Sequence, residues 1–201
     1  MELLLEKLRA RAYDPARRFD DVPVPIDWVT RHFGEIPREG HTFRSDGTVL
    51  YPAGAAEALE YYQNAPRGPL HPPATEADVE QAGRPLPDLL RRLYTVVADG
   101  GFGPGARGFA RIAEVPALRR RDRERGLPEC WFELTPGGCT MYWYADLCRP
   151  ETPVLLYDAD GWDPHEGQHP EDGVAHVTPS LREWLTTWAE GGDIWAGALR
   201  Q

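Results

Sequence analysis

An α+β domain is the fold class this sequence predicts: a mostly antiparallel sheet of about five or six strands with helices packed against it. Three observations predict it. Apolar residues recur at helical spacing over residues 86–101 and again near the end of the chain, and at a spacing of two in between. The strand-like runs are joined by short, turn-rich connections of the hairpin kind, which favours antiparallel pairing. Repeated strand–helix–strand alternation is missing, which argues against a doubly wound nucleotide-binding fold.

The elements follow in order. Residues 2–12 read as a short helix and IDWVTRHF (26–33) as another. HTFRSDGTVLYP (41–52) reads as a hairpin, because Asp46-Gly47 is a favoured tight turn between extended runs. GAAEALEYYQN (54–64) is helical in composition. APRGPLHPP (65–73) holds four prolines and reads as a linker. It sets a boundary near residue 70, with 1–70 as an N-terminal helical and hairpin extension and 71–201 as the α+β domain.

Beyond the linker, Thr75-Glu76-Ala77-Asp78 is a capping-box-like helix start and Gly83 a helix end. In LPDLLRRLYTVVADGG (86–101), Pro87 suits a first helical turn. Leu89, Leu90, Leu93, Tyr94, Val96 and Val97 form one apolar face, and Gly100-Gly101 supply a left-handed stop. GFARIAEV (108–115), CWFELT (130–135), CTMYWYADL (139–147), TPVLLYD (152–158) and VAHV (174–177) read as strands. Pro136-Gly137-Gly138 is expected to join the middle pair as a hairpin turn. ALRRRDRERGLP (117–128) is a charged surface segment, helix or loop. Thr178-Pro179 opens a closing helix in which Leu181, Trp184, Leu185 and Trp188 fall on one face, and Gly191-Gly192 ends it.

Composition narrows the function classes. The 201 residues suffice for one large domain, or a domain with an extension. A hydrophobic share of 41% with seven Trp and eight Tyr supplies a core, so no staples are needed. Cys130, Cys139 and Cys148 are an odd set at nine-residue steps with no C-x-x-C pair. That pattern is neither a disulfide framework nor a zinc ribbon, and buried reduced thiols are expected. The three-Leu run in MELLLEKLRARAYD is too short for a secretory core, and no stretch reaches membrane-spanning length. A cytoplasmic location is expected. Net charge is −10, unevenly placed: residues 128–201 hold thirteen acids and three bases, whereas 71–127 carry a small positive excess. Such an acidic surface repels nucleic-acid phosphates and attracts basic partners.

The sharpest catalytic signal is His165-Glu166-Gly167-Gln168-His169, an H-E-x-x-H. A zinc protease needs both histidines one turn apart on a helix, with the Glu near the metal-bound water. Pro164, Gly167 and Pro170 oppose a helix there, so an exposed loop is expected and the protease reading stays as the alternative. Asp158, Asp160, Asp163 and Glu166 resemble the start of a calcium loop, but His169 occupies the twelfth position where a Glu should close it. GPGARG (103–108) spells G-x-G-x-x-G in the reverse of the dinucleotide context, and reads as a helix-to-strand turn. Ser45 and Ser180, the only serines, lack a nucleophile-elbow setting.

The run from Thr75 to Gly101, a capped helix followed by a Leu86-Pro87 helix ending in Asp99-Gly100-Gly101, resembles the SUKH superfamily of Smi/Knr-like domains. GCTMYWYADL (138–147), PVLLYDADGW (153–162) and TPSLREWLTTWAEGGDIW (178–195) continue the resemblance in the same order. It implies an α+β fold and a non-enzymatic role, commonly that of an immunity protein that binds and blocks a cognate bacterial toxin, often a nuclease. It brings no catalytic residues, and no metal or cofactor is expected. The expected partner is a basic protein toxin, met by an acidic surface with Asp158, Asp160, Trp162, Asp163 and Glu166 as contact residues. Two alternatives stay open: the zinc protease, and a regulatory scaffold with a non-toxin partner.

Overall fold

The computed structural model describes residues 1–14, 17–19, 22–36, 42–43, 47–51, 69–104, 107–138 and 140–195. The helix expected at 54–64 and most of the linker at 65–73 lie outside the described residues.

The centre of the molecule is a four-stranded antiparallel meander, β4 (Trp131–Gly138), β5 (Met141–Asp146), β6 (Val154–Asp158) and β7 (Val174–Thr178), in that spatial order. Strand alternation gives the sheet two different faces. Phe132, Leu134, Trp143, Ala145, Val154 and Leu156 face the main core, while Trp131, Tyr144, Leu155 and Tyr157 form a second, aromatic cluster. Helices α1 (Glu2–Ala12), α3 (Glu76–Gln81), α4 (Asp88–Arg92) and α6 (Leu181–Ala189) all send buried residues into the main core. The architecture is thus α+β. Among the described residues the sheet has four strands, fewer than the sequence predicts, because 108–115 does not pair into it as a strand. That segment is a 3-10 turn (Ile112–Glu114) leading into α5 (Val115–Glu124), with Pro116 in its first turn. Its buried residues Phe109, Ile112 and Val115 are every third residue, which is helical spacing rather than alternation.

The N-terminal region supplies a smaller sheet of β1 (Val22–Pro25), β2 (Thr42–Phe43) and β3 (Thr48–Tyr51), ordered β1-β3-β2. The hairpin expected over 41–52 is the antiparallel β2–β3 pair. Helix α2 spans Ile26–Phe33, as its composition suggested. Helix α1, on the N-terminal side of the expected boundary, contributes Leu4, Leu5, Leu8 and Ala12 to the main core. Arg11, 8% exposed, donates to the Trp188 carbonyl at the end of α6 and lies 4.5 Å over its ring. Cationic character there is favoured by the negative end of the helix dipole.

Local signals behave as elementary chemistry dictates. The Thr75 hydroxyl accepts from Asp78 N at 3.1 Å and the Asp78 carboxylate accepts from Thr75 N at 2.8 Å, a reciprocal cap on α3. Helix α4 widens into a π-helical turn, Leu93–Val97, closed by Ala98 N donating to Leu93 O at 3.2 Å. Gly100 and Gly101 then take φ of 80° and 76°. At Gly101 an added Cβ would stand 2.1 Å from the Pro69 carbonyl oxygen. Gly101→Ala is therefore expected to cost more than about 1 kcal/mol, combining left-handed strain with a backbone clash. Urea denaturation tests it; an unchanged midpoint would mean that residues 69–70 move aside and that the turn at 101 relaxes out of the left-handed region.

Among the described residues no helix is long and apolar enough to cross a membrane.

Candidate functional site

The acidic loop that the sequence singles out runs from the end of β6 to the start of β7. Its fold uses some of its own acids. Asp158, half-buried, accepts from Thr140 Oγ1 at 2.7 Å and from Asp160 N at 3.1 Å. Asp163 accepts from His165 N at 2.7 Å, capping a 3-10 turn at Pro164–Glu166. The Asp163 amide in turn donates to Gln168 Oε1 at 2.6 Å. Asp172 accepts from His169 N at 2.8 Å and caps the next turn, Pro170–Gly173. Asp160, Glu166 and Glu171 are left exposed. Five hydrogen bonds with a side-chain partner, within the loop or to the neighbouring hairpin, thus help fix its shape.

Trp162 sits half-buried against the aromatic cluster of the sheet, its indole N–H donating to the Tyr157 hydroxyl at 2.5 Å. Gly173 permits that approach, since a Cβ there would meet Trp162 Cδ1 at 2.9 Å and the Asp158 carbonyl at 2.7 Å. Burial pushes the Tyr157 phenol up, partly offset by the Trp162 N–H. Of the five expected contact residues, Asp160 and Glu166 are exposed; Asp158, Trp162 and Asp163 are partly buried and bonded within the protein.

The H-E-x-x-H segment is not an α-helix. His165 and Glu166 lie in the 3-10 turn, Gly167 is left-handed at φ 76°, and His169 is extended at φ −115° and ψ 159°. Both histidines are exposed. The one-turn helical spacing that the protease reading requires is absent from this segment.

Two clusters have no sequence signature of their own. On the aromatic face, Glu133 is 5% exposed and pairs with Arg121, which also holds Asp122 Oδ1 at 2.7 Å. The Tyr144 hydroxyl bonds Asp122 at 3.2 Å and Glu133 at 3.4 Å. Burial raises Glu133 above the usual carboxylate range, more than the Arg121 guanidinium lowers it. Arg121 and Arg125 lie over the Tyr142 ring at 5.4 and 5.7 Å.

The second cluster stands at the open end of the β4–β5 hairpin. Cys130, Asp146 and Cys148 each place a ligand atom within 4.8 Å of the other two, and among the described residues no other group of three or more His, Cys, Asp or Glu does so. The expectation of buried thiols does not hold for these two: Cys130 is half-buried and Cys148 exposed, because both lie just beyond the strand ends. Burial, then the neighbouring Cys148 and Asp146, pushes the Cys130 thiol up to about 12. Cys139 lies outside the described residues.

No protein-family model, no curated protein and no solved structure matches this chain. What the geometry itself defines is an α+β domain with an antiparallel meander whose last connection is an internally braced acidic loop.

Proposed function

We propose that this chain is a non-enzymatic protein-binding module of the immunity type, which blocks a basic protein toxin by laying the acidic loop over its substrate groove. One observation carries the reading. The last third of the chain bears an excess of ten acids, and its loop projects Asp160, Glu166 and Glu171 while using Asp158, Asp163 and Asp172 to hold its shape. A loop fixed before binding loses little conformational entropy on docking. Exposed acids of one sign speed encounter with a cationic groove and exclude a phosphate-bearing substrate from it. The resemblance of residues 75–101, 138–147, 153–162 and 178–195, in that order, to the SUKH superfamily supports the immunity role.

The test uses the full chain as bait, beside an Asp160→Arg/Glu166→Arg variant. These two positions are chosen because neither side chain caps a turn. The wild type is expected to capture a basic protein that arrests growth when expressed alone and is tolerated when co-expressed with this chain. The double reversal is expected to slow association about tenfold or more and to flatten its salt dependence. Equal capture by both forms would sink the acidic-loop reading. A captured partner that is harmless on its own would favour the scaffold role instead.

A further inference from the structure

We propose that Cys130, Asp146 and Cys148 form a binding site for a soft divalent cation, zinc above others. The residues lie 2 to 18 positions apart in sequence and are brought together by strand pairing. Trp131 pairs with Asp146 at the end of the β4–β5 ladder. One further bond, Leu147 N to Cys130 O at 2.9 Å, carries the ladder past the strand end and sets Cys130 beside the chain leaving β5. The Cys148 amide then donates to Asp146 Oδ1 at 3.0 Å, which turns Cys148 back toward the same point.

The resulting triangle fits the ion. In a tetrahedral zinc site the ligand atoms stand about 3.5–3.8 Å from one another, given Zn–S near 2.3 Å and Zn–O near 2.1 Å. The three atoms here already lie within 4.8 Å, so rotamer adjustment suffices to close on a cation. Two sulfurs select against calcium and magnesium, which take oxygen ligands. The carboxylate is anchored as outer-shell chemistry requires: the Cys148 amide holds one oxygen and Arg149 Nε stands 3.2 Å from the other. Each oxygen keeps a further lone pair for a metal. Asp146 itself is 7% exposed, whereas Cys148 opens to solvent and gives the ion a way in. Three protein ligands leave a fourth position for water or a partner's side chain.

Occupancy would clamp the β5–β6 connection. That connection holds Thr152 at φ 51°, a left-handed conformation costly for a β-branched residue. The Thr152 carbonyl accepts from Leu181 N at 2.7 Å, so the clamp bears on the start of α6 as well.

The experiment is titration of the reduced, chelator-stripped full chain with zinc against a chromophoric competitor, and with cobalt(II) read by thiolate-to-metal charge-transfer absorption. One equivalent of zinc and a thiolate–cobalt band are expected. Cys130→Ser and Cys148→Ser, which keep side-chain size, are each expected to weaken zinc by more than about 100-fold, beyond what loss of an outer-shell partner costs. Their metal-free melting curves, if unchanged, exclude unfolding as the cause. His165→Ala/His169→Ala is expected to leave binding unaltered. Absence of saturable binding, or binding lost with the histidines and kept without the cysteines, overturns the proposal. So does a natively purified chain lighter by two hydrogens and free of metal, which would make the thiols a disulfide pair. None of these outcomes depends on the immunity reading.

Discussion

Arg121→Ala is expected to destabilise the fold by about 3 kcal/mol at neutral pH, the low end of the range for breaking a buried ion pair. The low end applies because the Arg121 side chain is 32% exposed, so water reaches part of the site. The loss arises on the acid side. Glu133 and Asp122 keep 3% and 10% side-chain exposure, and without Arg121 the two acids are left sharing the Tyr144 hydroxyl. The effect carries a pH signature. Burial already raises Glu133 in the folded state, and Arg121 works against that rise. In the variant the folded value climbs further above the unfolded value of about 4.3. A carboxyl raised in the folded state contributes stability that is fully present below the unfolded value and is lost as pH rises through the folded one. The gap between wild type and variant should therefore be small near pH 4 and widen toward pH 7. Urea denaturation at both pH values measures it, and carboxylates such as Asp78, held low by Thr75, cancel in the difference. Adding Glu133→Gln to the variant should recover much of the loss, because it removes the buried charge itself. A gap that does not change with pH would mean that Arg121 acts through packing on Tyr142 rather than through Glu133.

What the sequence makes legible is what neighbours along the chain decide. The Thr75–Asp78 cap needs only residues three apart, and the Leu181–Trp188 stripe only the 3.6-residue period; both are observed. Small shifts appear where two local signals compete. Thr178-Pro179 is expected to open the closing helix, but Thr178 pairs with Val154 as the last residue of β7; Ser180, which the sequence also places at the helix start, is the cap and accepts from Glu183 N at 3.1 Å. Pro136-Gly137-Gly138 was expected as a turn. The strand instead runs through it with register shifts, and Gly138 pairs with Met141. Bulged pairing tolerates a residue that lacks an N–H. Long-range geometry is not legible in this way. Cys130 and Cys148 meet only because Trp131 aligns with Asp146, and no spacing rule fixes that register. Glu133 looks like an outward position on an alternating strand until α5, read as charged surface, folds Arg121 and Asp122 onto it.

The largest single loss is expected from Trp143→Ala, about 3–5 kcal/mol. Trp143 is fully buried on the core face of β5, with its ring 5.5 Å from Trp184 and 5.3 Å from Trp195. Trp184 in turn meets Phe109, and Phe109 meets Phe102, so the ring of Trp143 begins an aromatic path from the sheet through α6 to the α4–α5 connection. Truncation would leave a cavity that cannot close easily, because its walls belong to a strand, a helix and the segment after that helix. Those elements are fixed by backbone pairing and by other core contacts, so the lost contacts are not regained. Trp143→Phe should cost distinctly less. It keeps an aromatic surface against Trp184 and Trp195, and the indole N–H it removes has no protein acceptor among the described residues. Chemical denaturation of the two variants against wild type decides the matter. A loss that is equal for Ala and Phe would place the stabilisation in the indole's own fit, not in the stacked path. A loss under about 1 kcal/mol for Ala would show that the sheet and α6 close on each other without it.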